Sequence, residues 1–102
     1  MVKRCEVYWV HLDPTRGSEI RMTRPGLVIS PDDMNRALPR VIVAPLTSAG
    51  QALGCRPEIS FKRKRARILL HQLPKVDRKR LGKRMGMIPL EKWHPVLMEM
   101  LA

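Results

Sequence analysis

The sequence predicts a mainly β domain, a curled antiparallel barrel closed by one C-terminal helix. Three observations predict it. Short runs rich in β-branched and aromatic residues recur along the chain, Gly, Pro, Asn, Asp and Ser punctuate the gaps between them, and only the tail sets apolar residues at helical spacing. At 102 residues the elements make one domain, residues 1–102, able to fold alone with little core to spare. A hydrophobic fraction of 44% is ordinary for a globular protein and argues against wholesale disorder.

Taken in order, Cys5 to Leu12 ("CEVYWVHL") alternates and reads as a strand, and Pro25 to Ser30 as a second. Between them Asp13 to Arg24 forms a loop far longer than the two to five residues that close a hairpin, and long ordered loops in small domains usually carry function. "SPDDMN" carries turn residues and interrupts the pattern. Arg40 to Ser48 ("RVIVAPLTS") is nearly continuous in apolar residues, as in a strand buried on both faces. "SAGQALG" is a loop, "RPEISF" an alternating strand, and after a basic turn "RARILLHQLPKV" reads as one further long strand. "DRKRLG" suggests a single helical turn and "KRMGMI" a last short strand. In the tail, Leu90, Trp93, Leu97 and Leu101 define an amphipathic helix with Pro89 suited to its first turn. Pro95 removes a backbone bond from a helix interior, so the helix either kinks there or begins near His94.

Charge narrows the partners. A net charge of +11 and a pI near 10.9 favour a polyanion, nucleic acid or an acidic protein, and the excess concentrates in "FKRKRAR" and "KVDRKRLGKR". A solvated basic face is the bland alternative. The four aromatic residues are scattered, so a base-stacking platform is not expected. No apolar run nears the roughly 20 residues of a membrane span, and the N-terminus lacks a signal peptide's apolar segment. Cys5 and Cys55 lie far apart and form no CxxC pair, which suits a reduced, cytoplasmic chain. His11, His71 and His94 lack metal-ligand spacing, so neither a metal site nor a cofactor is expected.

"YWVHLDPTRGSEIRMTRPGLVISPDDMN", then "VIVAPLTS", then "LLHQLPKVDRKRLGKRMG" resemble, in order and spacing over nearly the whole chain, the MazF/PemK (Kid) family of toxin endoribonucleases. The resemblance implies an SH3-like barrel of the CcdB/MazF/Kid type, a homodimer, metal-independent cleavage of single-stranded RNA and mRNA, and a cognate antitoxin, expected to be acidic. Arg24, in "TRP", matches the family's catalytic arginine, and Thr47, in "PLTS", its catalytic threonine. The resemblance extends RNA contact to Arg16, Ser18, Glu19, Arg21 and Thr23 of the loop and to Ser48 and Gln72. Glu19 could equally orient Arg24 or balance local charge, and Gly17 permits the loop's bend.

The chemistry suits those residues. RNA carries its own nucleophile, the 2′-OH beside the scissile phosphate, so a nuclease needs a base, an acid and stabilisation of a charged phosphorane. An arginine fork fits two phosphate oxygens and a hydroxyl donates to one more. Capping of a strand end by Arg24, and ordinary turn chemistry at Thr47 and Ser48, are the structural alternatives.

Several positions depart from the family pattern. His71-Gln72 stands where many relatives have Asp-Gln, a proposed general base; Leu69 replaces an arginine of the Kid branch; His11 replaces Asp or Asn; Gly26 replaces Ala or Val; and Cys5 replaces Gly. An imidazole can do a base's work, which makes His71 the candidate base, or it only hydrogen-bonds a neighbouring strand. Two other readings remain open: a CcdB-like gyrase inhibitor without enzymatic activity, and an inactive barrel that only binds RNA or an antitoxin.

Overall fold

A computed structural model describes residues 1–12, 22–48 and 53–102. Seven strands and two short helices follow one another as β1 (Glu6–Leu12), β2 (Met22–Val28), α1 (Asp32–Ala37), β3 (Arg40–Thr47), β4 (Glu58–Phe61), β5 (Lys64–Ile68), β6 (Lys75–Asp77), β7 (Leu81–Met87) and α2 (His94–Met100). The strands form one curled antiparallel sheet in the order β4-β5-β3-β2-β1-β7, with β6 also pairing β3. The expected barrel is therefore a half-barrel with α2 against it. No helix among the described residues is long and apolar enough to cross a membrane.

Side chains alternate across a strand, and here both faces of the central strands are covered. Val7, Leu27, Ala44 and Leu46 point into the larger core with Ile68, Leu70, Trp93 and Leu97. Val10, Val28, Val41 and Val43 point the other way into a smaller core with Val76. That double burial explains the continuous apolar run of β3. It also means that the stretch from Val41 to Leu46 is used up within the chain and leaves little for a dimer contact.

Three sequence expectations change. The stretch read as a turn at "SPDDMN" holds α1. Six residues are too few for a periodicity to show, and the helix is held instead by a buried polar cluster: Asn35 Nδ2 donates to the Ser30 carbonyl, Ser30 Oγ donates to Asn35 Oδ1, and Ile42 N donates to Ser30 Oγ. The long strand read through "RARILLHQLPKV" breaks after Ile68. Leu69 N bonds the Pro45 carbonyl and Gln72 N closes a turn onto Leu69, so β3 exchanges β5 for β6 as its partner. In the tail, a 3-10 turn at Leu90–Lys92 precedes α2, which begins at His94 with Pro95 harmlessly in its first turn. The tighter turn puts Leu90 out of phase with α2, and Leu101 lies just past the last residue of that helix. Trp93 and Leu97 bury as expected, while Leu90 and Leu101 face solvent.

Two departures from the family pattern have local causes. A Cβ on Gly26 would lie 2.7 Å from Val10 Cγ2, so Val10 occupies the room that relatives give to Ala or Val. Cys5 holds a left-handed φ of 78°, a conformation glycine adopts without penalty. Its N–H to the Val28 carbonyl and its carbonyl to Ile88 N lock it there, with the thiol buried in the larger core; burial pushes that thiol up, away from thiolate chemistry.

Glu6 is a buried carboxylate that accepts from Arg84 Nε at 2.6 Å, Tyr8 Oη at 2.8 Å and Lys3 N at 2.8 Å. Burial alone would raise its pKa, but the three donors outweigh it and hold Glu6 below the usual carboxylate range. Burial and the Glu6 charge together push Tyr8 up to about 12. A depressed folded-state pKa contributes stability that is complete above the ordinary value, 4.5, and is lost as pH falls through the folded value. The urea midpoint of the parent should therefore drop more between about pH 6 and pH 3 than that of Glu6→Gln. Parallel acid limbs in the two proteins would remove Glu6 from the account.

Candidate active site

The chemistry-bearing residues collect where β2 and β3 meet the ends of the sheet. The β2–β3 ladder pairs Val28 with Val43, Leu27 with Ala44 and Gly26 with Pro45. The ladder ends there, with Arg24 two residues before Gly26 in β2 and Thr47 two residues past Pro45 in β3, at the same end of the two strands. Arg24 is held in β2 as the partner of Val10, Thr47 ends β3 as the partner of Arg67, and both are half-buried. Pro25 fixes the backbone beside Arg24 and turns its ring to the other face, where it pairs with Trp9.

On that side lies a cleft of about 320 Å³. Trp9, Pro25, Leu46, Phe61 and Met85 supply apolar walls, Thr47 and Ser48 form one lip, and Lys62, Lys64 and Arg65 rim the other. The cations come from the tip of the β4–β5 hairpin, whose two-residue turn puts Lys62 and Arg63 at φ 53° and 66°. Asn-Gly is the usual solution for such a turn, and a left-handed Lys-Arg pair carries strain of about 1–2 kcal/mol per residue. The hairpin is anchored despite it. Glu58 takes Arg65 at 2.9 Å and Arg67 at 3.5 Å, and Phe61 packs over the bare face of Gly86, 3.2 Å from where a Cβ would stand. A second cleft of about 600 Å³ lies between β4 and the segment joining β7 to α2, and none of the sequence-derived site residues lines it.

His71 and Gln72 are exposed in the turn after β5, their Nε2 atoms 3.3 Å apart, and neither lines the cleft beside Thr47. The imidazole nearest the arginine strand is His11, the partner of Thr23, with Nδ1 3.4 Å from Thr23 Oγ1 and Nε2 facing Gly82. Arg16, Gly17, Ser18, Glu19 and Arg21 lie outside the described residues. Of the four scattered aromatics, Trp9 and Phe61, distant in sequence, share one cleft. Only the curl of the sheet, which carries Phe61 of β4 to within 3.2 Å of the Cβ position of Gly86 in β7, brings them together, and no local pattern carries that information.

A family model described as PemK-like, MazF-like toxin of type II toxin-antitoxin system matches residues 3–100. The chain belongs to this family. Endoribonuclease MazF of Staphylococcus epidermidis is 31% identical to it over 98 residues, spanning 90% of this chain and 82% of that protein. Two solved structures share the fold. An endoribonuclease in complex with its cognate antitoxin, from a mycobacterial species, has a TM-score of 0.80 at 18% identity, covering 99% of this chain and 95% of that one. The MazE-MazF structure from Deinococcus radiodurans has a TM-score of 0.80 at 20% identity, covering 98% and 95%. In this PemK/MazF-like toxin, the "TRP" and "PLTS" signatures thus fall at the ends of neighbouring strands, beside one cleft.

Proposed function

We propose that this chain is the toxin of a type II toxin–antitoxin pair and an endoribonuclease that cuts single-stranded RNA, mRNA included, without metal or cofactor. The observation that supports the proposal is that Arg24 and Thr47 stand at the same end of the adjacent paired strands β2 and β3.

In the reaction, the RNA 2′-oxygen attacks the adjacent phosphorus, its proton passes to a base, and the P–O5′ bond breaks as the 5′-oxygen takes up a proton. A 2′,3′-cyclic phosphate and a 5′-hydroxyl result. Arg24 gives two parallel N–H donors to the non-bridging oxygens as they gain charge, and Thr47 donates one more hydrogen bond. Arg16, Ser18, Glu19, Arg21, Thr23, Ser48 and Gln72 are the proposed RNA contacts. His71 is the proposed base, on the strength of its imidazole and its exposure. The net charge of +11 favours an acidic antitoxin segment, and the antitoxin complexes of the structural relatives support such a partner. Exposed Met87, Leu90, Met98 and Leu101 offer the apolar surface for a homodimer in place of the buried β3 run. The site of action is the cytoplasm, where mRNA is found.

The ends of the fragments test the chemistry. Products should accept label from polynucleotide kinase without prior phosphatase treatment, because their 5′ ends are hydroxyls; 5′-phosphate ends would refute 2′-OH attack. His71 is tested by the pH–rate profile. A base there gives an acidic limb that vanishes with most of the activity in His71→Ala. An unchanged rate and profile in that variant would make His71 scaffolding.

A further inference from the structure

We infer that the cleft between Trp9 and the β4–β5 hairpin is a slot for a single unstacked nucleobase next to the scissile phosphate. The inference rests on the RNA-cleaving reading for the nature of its ligand, and on the cleft itself for everything else. Trp9 lies in a strand and pairs with Pro25, so its indole stands on a rigid surface, yet it is 37% exposed. An aromatic left open inside an apolar recess is a surface waiting for a flat partner, and every base has a π-face. At about 320 Å³ the recess is near the lower end of small-molecule sites and has room for a base.

What surrounds the recess selects a nucleotide over another flat apolar group. Lys62 and Lys64 stand at the rim, and the Lys62 ammonium lies 5.9 Å from the Phe61 ring centroid, so the wall and the charge above it are held as one unit. Thr47 and Ser48, both hydroxyl-bearing, line the opposite lip. A base on Trp9 thus has its own phosphates between the lysines and the hydroxyl lip, the side on which Thr47 reaches the scissile group. Rigid β-strands and a strained but anchored hairpin build the slot before any ligand arrives, which lowers the ordering cost of binding.

The chain's tryptophans make the test direct. Trp9 is exposed and Trp93 is fully buried, and the sequence has no others. The parent is titrated with single-stranded 2′-O-methyl oligonucleotides of about ten residues, one per base type, and with an abasic strand of equal length. Their lack of a free 2′-OH prevents cleavage. At least one base-bearing strand should quench tryptophan emission saturably and bind about tenfold tighter than the abasic strand. Trp9→Ala should erase that tenfold difference. Trp9→Phe, which keeps a ring, should retain most of it while losing the quench. A quench by the abasic strand equal to that by the others, or a preference for bases that survives in Trp9→Ala, overturns the slot. Cleavage of long RNA by the parent is scored separately: base-dependent quenching without cleavage would sink the nuclease reading alone, and cleavage without quenching would sink the slot alone.

Discussion

Arg24→Ala is expected to slow RNA cleavage by about 10²–10³, equivalent to about 3–4 kcal/mol of transition-state stabilisation, with the fold intact. The fold survives because β2 holds residue 24 through its backbone, as the partner of Val10, and alanine keeps that pairing. RNA binding should fall only modestly, since Lys62 and Lys64 remain at the rim of the cleft as cations for phosphates. Arg24→Lys should recover only part of the rate, because an ammonium is a point charge and cannot bridge two phosphate oxygens. Single-turnover rates on one short RNA, with circular dichroism of each variant, decide the matter. Full cleavage by a folded Arg24→Ala protein would remove Arg24 from the reaction.

Trp93→Ala is expected to cost about 3–5 kcal/mol of stability, much of what a domain of this size has. Trp93 joins α2 and the 3-10 turn before it to the sheet. Its ring is fully buried in the larger core, and the Arg4 guanidinium sits 5.3 Å above the ring centroid. Eight residues on, Leu101 follows the same sequence pattern but is 70% exposed, so Leu101→Ala should change stability by no more than about 0.5 kcal/mol. Urea unfolding of the two variants separates them. Equal midpoints would mean that the tail is not docked as described.

That contrast indicates what the sequence could and could not reveal. β1, β2 and β3 were legible because alternation and apolar density are local properties, and residues 24 and 47 could be singled out because they sit in short motifs. The exposed Leu101 was not foreseeable from spacing alone, since α2 ends at Met100 and leaves Leu101 as the cap beyond its last turn. Helix α1 was hidden for a related reason. Its stability comes from Ser30, Asn35 and the Ile42 amide rather than from an apolar stripe. The break after Ile68 was masked by Leu69 and Leu70, which are as buried as strand residues while lying in a turn. Within the site, Arg24 and Thr47 came from motif and register, whereas the cleft came from tertiary pairing alone. Trp9 and Phe61 belong to separate hairpins, and nothing in either segment announces the other.

The most direct measurement is incubation of the purified protein with long single-stranded RNA in excess EDTA. Since Arg24 and Thr47 are proposed to supply the charge stabilisation, discrete fragments should accumulate at the same rate with and without the chelator, and about 10²–10³ more slowly with Arg24→Ala. Intact RNA after prolonged incubation of the folded parent, or cleavage that appears only when a divalent metal is restored, would contradict the account.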